Sequence, residues 1–208
     1  MTILVSLLLR LLVVGMLVST SMLPAHGEER NIVRDRGEAG LEWSNLAKGR
    51  TEFEVSDPAL LPSRLALAAN HAGCRFTEDI EKNPVKFIKP KGRRLAIMFC
   101  WGFVGTHKVF DLSTLHRPRL LEFPVLTMPE GFGMTDRPGG ITWDKETLIF
   151  QAVTGSDLKP SWEVRHTYQF DETWSFVVIR VEVRGMPGHD EWTTIWKAPR
   201  WSLPEVKQ

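Results

Sequence analysis

Hydrophobic and polar residues alternate most regularly between residues 141 and 184, and this stretch predicts strands in series. Between residues 162 and 170, apolar and ring-bearing side chains occupy the even positions, and polar side chains occupy the odd positions. A period of two is typical of a strand with one covered face. Residues 175–184 also alternate, and residues 146–153 predict a third strand upstream. Because short connections favour antiparallel pairing, the sequence predicts a C-terminal three-strand meander.

The last of these strands has no purely polar face. The alternation predicts one face with Val177, Ile179, Val181 and Val183, and another with Phe176, Val178, Arg180, Glu182 and Arg184. A second layer of the same domain is the plainer explanation for apolar residues on the charged face, and a partner is the alternative. If a partner binds there, the candidate surface consists of Arg165, Trp174, Phe176, Arg180 and Arg184.

The register between the last two strands depends on the length of the loop that joins them. A two-residue loop, Asp171-Glu172, would place Glu163 opposite Arg180. A four-residue loop would place like charges opposite each other, and a three-residue loop would invert the apolar face. The pattern therefore favours the two-residue loop, although Asp-Glu lacks the glycine that such tight turns favour.

Local signals elsewhere predict further strands and one short helix. Residues 58–73 predict the helix, since prolines lie near its start, Asp57 or Ser56 can cap it, and Gly73 follows its end. Residues 85–89 and 94–101 predict a hairpin around a Pro-Lys-Gly turn. Further strands are predicted at residues 51–55, 107–112 and 119–125, and an extended, tryptophan-anchored tail at residues 192–201.

Two stretches predict little regular structure. Residues 28–50 are polar, with a loose start and one helical turn expected within residues 40–49. Residues 129–140, with four glycines and two prolines, predict the longest irregular loop. The predicted fold class is therefore mainly β, a sandwich-like single domain of antiparallel strands with one short helix.

Residues 1–27 have the pattern of an export signal. An apolar run at residues 11–18 follows Arg10, Pro24 ends the helical pattern, and Ala25-His26-Gly27 is a small-x-small cleavage site. An uncleaved membrane anchor over residues 3–23 is the alternative, against which the mid-span arginine counts. We therefore predict a periplasmic or secreted protein with no stable membrane span after cleavage. Its parts are a signal (1–27), an N-terminal extension (28–57) and one β-rich domain (58–208).

The chain contains two cysteines, Cys74 and Cys100. An even number of cysteines in an exported chain favours a disulfide between them. Two buried thiols and a catalytic cysteine are the alternatives, and no flanking motif supports the catalytic one.

Charge and motifs exclude several classes of function. Without Arg10, the 26 basic residues fall to 25 and equal the 25 acidic residues, so nothing favours a nucleic-acid or polybasic membrane partner. The sequence has no glycine-rich phosphate loop, dinucleotide motif, HExxH, CxxC, EF-hand or G-x-S-x-G. No cofactor and no metal is therefore predicted.

The histidines give one weak catalytic candidate. His166 lies in the apolar row of its strand, where a core histidine with a hydrogen-bond partner is the plainer interpretation. His189 with Asp190 or Glu191 forms the best local acid/base cluster, and Asp136-Arg137 is a weaker one.

Several short phrases together resemble a known family. They are Cys74 after a short helix, FCWG around Cys100, LLEFPVL, the phrases TLIF, WEVRHTYQF and FVVIRVEVR, and a W-x-x-x-W from Trp192 to Trp196. Over about residues 60–200 the chain resembles an uncharacterised family of exported proteobacterial proteins with a domain of unknown function. The resemblance implies no activity and no site residue.

These observations favour a non-catalytic binding or envelope-accessory protein, with a possible protein partner in the cell envelope. One alternative is an inhibitor that inserts residues 129–140 into an envelope or foreign hydrolase. The other is a hydrolase-type enzyme that uses His189 with Asp190 or Glu191.

Overall fold

The computed structural model describes residues 26–75, 80–100, 105–127, 130–155, 162–171, 173 and 175–199. The predicted signal lies outside these residues except for its last two positions. The chain divides into two compact units, residues 1–38 and 39–208, and the second contains all the strands. Among the described residues, no helix is both long enough and apolar enough to cross a membrane.

Within the described residues, twelve strands form two five-stranded sheets and one hairpin, and all the strand pairs are antiparallel. The first sheet comprises β1 (Phe53–Val55), β2 (Val85–Ile88), β3 (Leu95–Cys100), β4 (Thr106–Asp111) and β5 (Arg119–Leu120), in that order. The hairpin is β6 (Phe123–Thr127) with β7 (Gly131–Thr135). The C-terminal sheet comprises β8 (Gly140–Asp144), β9 (Ile149–Gly155), β10 (Glu163–Asp171), β11 (Ser175–Arg184) and β12 (Thr193–Lys197). The helices are α1 (His26–Ala47) and α2 (Ser63–His71).

The first sheet is the middle layer of the second unit, because both of its faces are covered. On one face, Met98 of β3 belongs to an apolar cluster with residues 43–74, which include Leu65 of α2. On the other face, Ile97 of β3 belongs to a second cluster with the C-terminal sheet, which includes Phe150 and Tyr168. The prediction of a mainly β, antiparallel, sandwich-like fold is confirmed. The predicted meander is also present, as the centre of a five-stranded sheet.

The helices differ in part from the prediction. The Asp57 side chain accepts a hydrogen bond from the Ala59 backbone N–H at 2.9 Å, and a short 3₁₀ turn then leads into the predicted α2. Gly73 follows α2 with a φ of 71°. The prediction of a loose start and one turn before residue 50 is wrong, because α1 spans that region. Its end is stabilised by packing, since the Trp43 ring lies 5.8 Å from that of Phe53.

Residues 129–140 are not an irregular loop throughout, since their centre forms β7 and pairs with β6. The single strand predicted at residues 119–125 is also wrong, because the chain leaves β5 at Leu120 and begins β6 at Phe123. The second strand of the β6–β7 hairpin is rich in glycine and carries no clear alternation, so the sequence pattern does not reveal it.

The register of the β10–β11 pair differs from the prediction. Asp171 pairs with Ser175, so Asp171 belongs to the strand and three residues separate β10 from β11. The predicted loop had two residues, Asp171 and Glu172, and Glu172 lies outside the described residues. A β-bulge then leaves Ile179 without a partner and shifts the remaining pairs by one residue. As a result Glu163 lies opposite Arg184, not opposite Arg180. The bulge repairs the parity that a three-residue loop would otherwise break.

The predicted disulfide joins Cys74, just after α2, to Cys100 at the end of β3. The two cysteines are 26 positions apart, and their Cα atoms are 4.7 Å apart. Both are buried, so the bond fastens the helical layer to the first sheet inside the core.

We expect that replacing both cysteines with alanine will lower the free energy of unfolding by about 3.5 kcal/mol, the loop-closure value for this separation. Urea denaturation followed by tryptophan fluorescence measures the change. The matched control is the wild type in reducing agent, which loses the bond but keeps both side chains. A loss below about 1 kcal/mol in both samples would contradict a stabilising role for the bond.

Candidate functional site

The face of the C-terminal sheet that points away from the core is largely open to solvent. Its side chains come from the odd positions of β9 and β10 and from their neighbours on β11 and β12. Most of them are half-buried or exposed, whereas Thr167 and Glu182 are buried. We call this the outer face, and it carries three of the predicted binding residues.

The bulge in β11 shapes this face. Before the bulge, Val178 pairs with Tyr168 and points into the core, and after it Arg180 pairs with Thr167 and points outward. Ile179, the extra residue, also borders the outer side. Bulges often redirect side chains in this way beside functional sites. The Ala198 backbone N–H donates to the Ile179 carbonyl at 3.0 Å and holds the segment after β12 against the bulge.

A recess of about 340 Å³ opens at this point. Its lining comes from four strands and from the segment that follows β12. The lining residues are Ile149, Gln151, Thr167, Ile179, Arg180, Lys197, Ala198 and Pro199. Most of the lining surface is apolar, and the two charged residues in it, Arg180 and Lys197, are both cationic.

One buried polar atom in the recess has no hydrogen-bond partner among the described residues, namely the Thr167 hydroxyl oxygen. Thr167 is only 3% exposed. The neighbouring Arg180 Nε lies 3.2 Å from Glu182 Oε2 and forms an ion pair with it. Buried polar groups are nearly always satisfied, and each that is not costs about 1–3 kcal/mol. An unsatisfied hydroxyl at the wall of an open recess is therefore a signal of a ligand.

The other two arginines of the predicted surface are engaged within the protein. The Arg165 Nε donates to Glu182 Oε2 at 2.9 Å, and the Arg184 Nε donates to Glu163 Oε2 at 2.8 Å. Both guanidinium groups also lie over the Trp192 ring, at 4.3 Å and 4.7 Å from its centre. They form a structural network at the edge of the outer face.

The predicted surface is not a continuous patch, because Phe176 lies on the opposite face of the sheet. Phe176 is 4% exposed, and its ring stacks on that of Phe123 at 4.2 Å inside the core. The bulge explains the difference, since it inverts the alternation between Phe176 and Arg180. Trp174 lies outside the described residues. Of the four predicted binding residues that the structure describes, only Arg180 lines the recess.

His166 is a core histidine, as the pattern predicts. It is 1% exposed, and its Nε2 accepts a hydrogen bond from the Leu126 backbone N–H at 2.9 Å. Burial lowers the pKa of His166 to about 4, because the charged ring loses its hydration. His166 therefore fastens the β6–β7 hairpin to the C-terminal sheet in its neutral form.

The two weak acid/base candidates have different positions. Within the described chain, no hydrogen bond or ion pair joins the His189 side chain to Asp190 or Glu191, and His189 instead closes a backbone turn with Gly185. Asp136 accepts from the buried Lys108 ammonium at 2.6 Å. That pair ties β4 to the segment after β7, which is a structural role.

The segment predicted to act as an inhibitory loop, residues 129–140, contributes β7 to the β6–β7 hairpin. Phe132 and Met134 of β7 are 50% and 60% exposed, although the Phe132 ring also contacts Trp196. That hypothesis stays a prediction. Among the described residues, no group of three or more His, Cys, Asp or Glu side chains is placed to hold a metal ion.

Comparisons with known protein families, with curated proteins and with solved structures find no match for this chain. The resemblance to a family of exported proteobacterial proteins therefore stays a prediction.

Proposed function

We propose that this chain is an exported, non-catalytic binding protein whose binding surface is the outer face of the C-terminal sheet. The observation that carries the proposal is the recess beside the β11 bulge, where the buried Thr167 hydroxyl has no partner among the described residues and lies beside the cationic Arg180. Binding sites combine largely apolar walls with a few placed polar groups, and this recess has that composition.

Export to the periplasm or beyond is supported by two features. Residues 1–27 have the composition of a signal peptide. The disulfide between Cys74 and Cys100 is the kind of bond that persists in oxidising compartments.

A binding role without catalysis is favoured by the chemistry of the recess. Its polar groups are the Gln151 amide, the Thr167 hydroxyl, the Arg180 guanidinium and the Lys197 ammonium. An amide does not ionise near neutral pH, and a guanidinium keeps its charge. These groups suit the recognition of a ligand better than acid–base chemistry.

The test compares two variants that differ only in position along β11. Ile179→Glu places a carboxylate in the recess, whereas Val177→Glu places the same group on the same face but outside the recess. Each purified full chain is incubated with envelope extract. Protein partners are then crosslinked and identified by mass spectrometry, and small molecules are released by denaturation and identified in the same way.

We expect wild type and Val177→Glu to retain the same component and Ile179→Glu to lose it. Circular dichroism checks that both variants are folded. Equal retention by all three proteins, or no retained component at all, would contradict the proposed binding surface.

A further inference from the structure

We infer that the recess binds a small organic anion with an apolar body, namely a free medium-chain carboxylate. This inference rests on the proposed binding function and names the class of its ligand. It follows from the order in which the sheet arranges polar and apolar residues across the recess.

The polar residues of the recess form one row across four strands. Thr167 of β10 is the register partner of both Gln151 on β9 and Arg180 on β11. Arg180 is in turn the register partner of Lys197 on β12. The Cα positions of these four residues therefore lie side by side, at the spacing of neighbouring strands. One end of a ligand can contact several members of this row at once.

The apolar residues lie beside this row. Ile149 of β9 and Ile179 of β11 each precede the polar row by one or two positions. Ala198 and Pro199 complete the apolar wall at the edge of the sheet. An elongated ligand with a polar head on the row would thus place its hydrophobic part against these four residues.

The charge of the polar row selects an anion. The one carboxylate that forms an ion pair with Arg180 among the described residues is Glu182, whose Oε2 lies 3.2 Å from the arginine Nε. That oxygen already accepts a hydrogen bond from Arg165, so two guanidinium groups share one carboxylate. Lys197 forms no ion pair within the described chain and is exposed. An excess of positive charge remains at the row, and guanidinium groups bind carboxylates with two parallel hydrogen bonds.

The Thr167 hydroxyl gives the second reason for an anionic head. It is buried in the row beside Arg180 and has no partner among the described residues. A carboxylate has two oxygens, so it can accept from the unmatched hydroxyl and from a guanidinium N–H of Arg180 at the same time.

The size of the recess favours a free small molecule over larger occupants. Its volume of about 340 Å³ is at the lower end of the ~300–1,000 Å³ range of ligand sites. A stable protein partner needs about 800 Å² of surface on each side. A whole lipid or a second copy of this chain is therefore a poorer fit than a single short chain with one charged head.

The experiment titrates the full chain with decanoate, below its micelle concentration, by isothermal titration calorimetry. Decanol and decyltrimethylammonium are the neutral and cationic comparisons. We expect decanoate to bind at least about tenfold more tightly than decanol, and the cation to show no binding, as charge-assisted hydrogen bonds predict. Arg180→Gln, Lys197→Gln and Thr167→Val should each weaken decanoate binding by about fivefold or more.

Lys145→Gln is the matched control, because it removes an exposed lysine in the turn between β8 and β9, outside the recess. It should leave decanoate affinity unchanged. Equal binding of decanoate and decanol, both lost in Ile179→Glu, would overturn the anionic class and leave the binding function standing.

Two further outcomes would also overturn the inference. One is that decanoate fails to bind while Ile179→Glu still loses a component of the envelope extract, in which case only the proposed ligand class is wrong. The other is that neither decanoate nor any extract component depends on Ile179, in which case the proposed function fails as well. If the wild type crosslinks through the recess to a second copy or to another protein, the binding function stands and only the proposed ligand class is wrong.

Discussion

Replacing Gly139 with alanine is expected to destabilise the protein by about 3–5 kcal/mol, from an unfavourable backbone conformation together with a steric clash. Gly139 has a φ of 103°, which side chains other than glycine rarely adopt. A Cβ atom there would lie 2.7 Å from the carbonyl carbon of Val153, and closer still to its oxygen. Val153 cannot move aside easily, because it pairs with Gly140 on β8 and with Arg165 on β10.

Gly139 also connects the two large sheets. Its carbonyl accepts a hydrogen bond from the His107 backbone N–H at 2.9 Å, and its own N–H donates to the Thr106 hydroxyl at 3.0 Å. A shift of Gly139 to relieve the clash would break these bonds between β4 and the start of β8. The close approach of backbone to backbone is therefore the reason for a glycine at this position.

The neighbouring glycine provides the control. An alanine Cβ at Gly140 would lie 3.8 Å from the Val153 carbonyl oxygen, which is an ordinary contact, and Gly140 has no positive φ. Gly140→Ala should therefore change the free energy of unfolding by less than about 1 kcal/mol. Urea denaturation of both variants measures the difference. Equal stability of Gly139→Ala and Gly140→Ala would contradict the packing described here.

Lowering the pH from 7 to 4.5 is expected to reduce the free energy of unfolding by about 2.5 kcal/mol through His166 alone. The folded state keeps the pKa of His166 at about 4, whereas the unfolded chain has the ordinary value of 6.5. As the pH falls below 6.5, the unfolded state binds a proton that the folded state refuses. The stabilising contribution of neutral His166 is therefore fully present well above pH 6.5. It is lost as the pH falls from 6.5 towards the folded pKa of about 4.

A variant isolates this effect from other titrating groups. His166→Gln keeps an acceptor for the Leu126 N–H but has no group that titrates in this range. Its stability should change less than that of the wild type between pH 7 and 4.5, by about the same 2.5 kcal/mol. Chemical denaturation at several pH values gives both curves. Parallel curves for the two proteins would contradict a neutral buried His166.

Two other groups have to be separated from His166. Burial and the charge of Lys86 also lower the pKa of His107, so His107→Gln is measured alongside. Burial of Asp111 opposes its ionisation, but its hydrogen bonds to Arg93 and Ser113 prevail and lower its pKa. Its contribution is present above the ordinary value of 3.8 and is lost only at lower pH, below the range that is compared here.

Features of the fold that depend on local signals could be predicted from the sequence. The alternation of residues 162–170 gave β10 and its covered face, and Gly73 marked the end of α2. The hydrogen-bonded core position of His166 also followed from the alternation. In each case neighbouring residues carry the information, because the period of a strand or the cap of a helix is a local property.

The binding surface could be predicted only in part, because it depends on contacts between distant residues. Arg180 was placed on a half-apolar face, but the bulge at Ile179 moved Phe176 to the other side of the sheet. The polar row is visible only when the register of four neighbouring strands is known. Alternation within one strand does not reveal which residues of the neighbouring strand lie opposite. The even positions of β11 change from apolar residues at Phe176 and Val178 to a charged residue at Arg180, and this change is the local signal of the site.

Amide chemical-shift mapping of the isotope-labelled full chain during a decanoate titration shows whether the outer face binds a carboxylate. We expect saturable shifts at the polar row, Gln151, Thr167, Arg180 and Lys197, and at Ile179, with the first sheet unchanged. Shifts that concentrate on the β6–β7 hairpin or on the helical side of the first sheet, or the absence of saturable shifts, would contradict a binding site on the outer face.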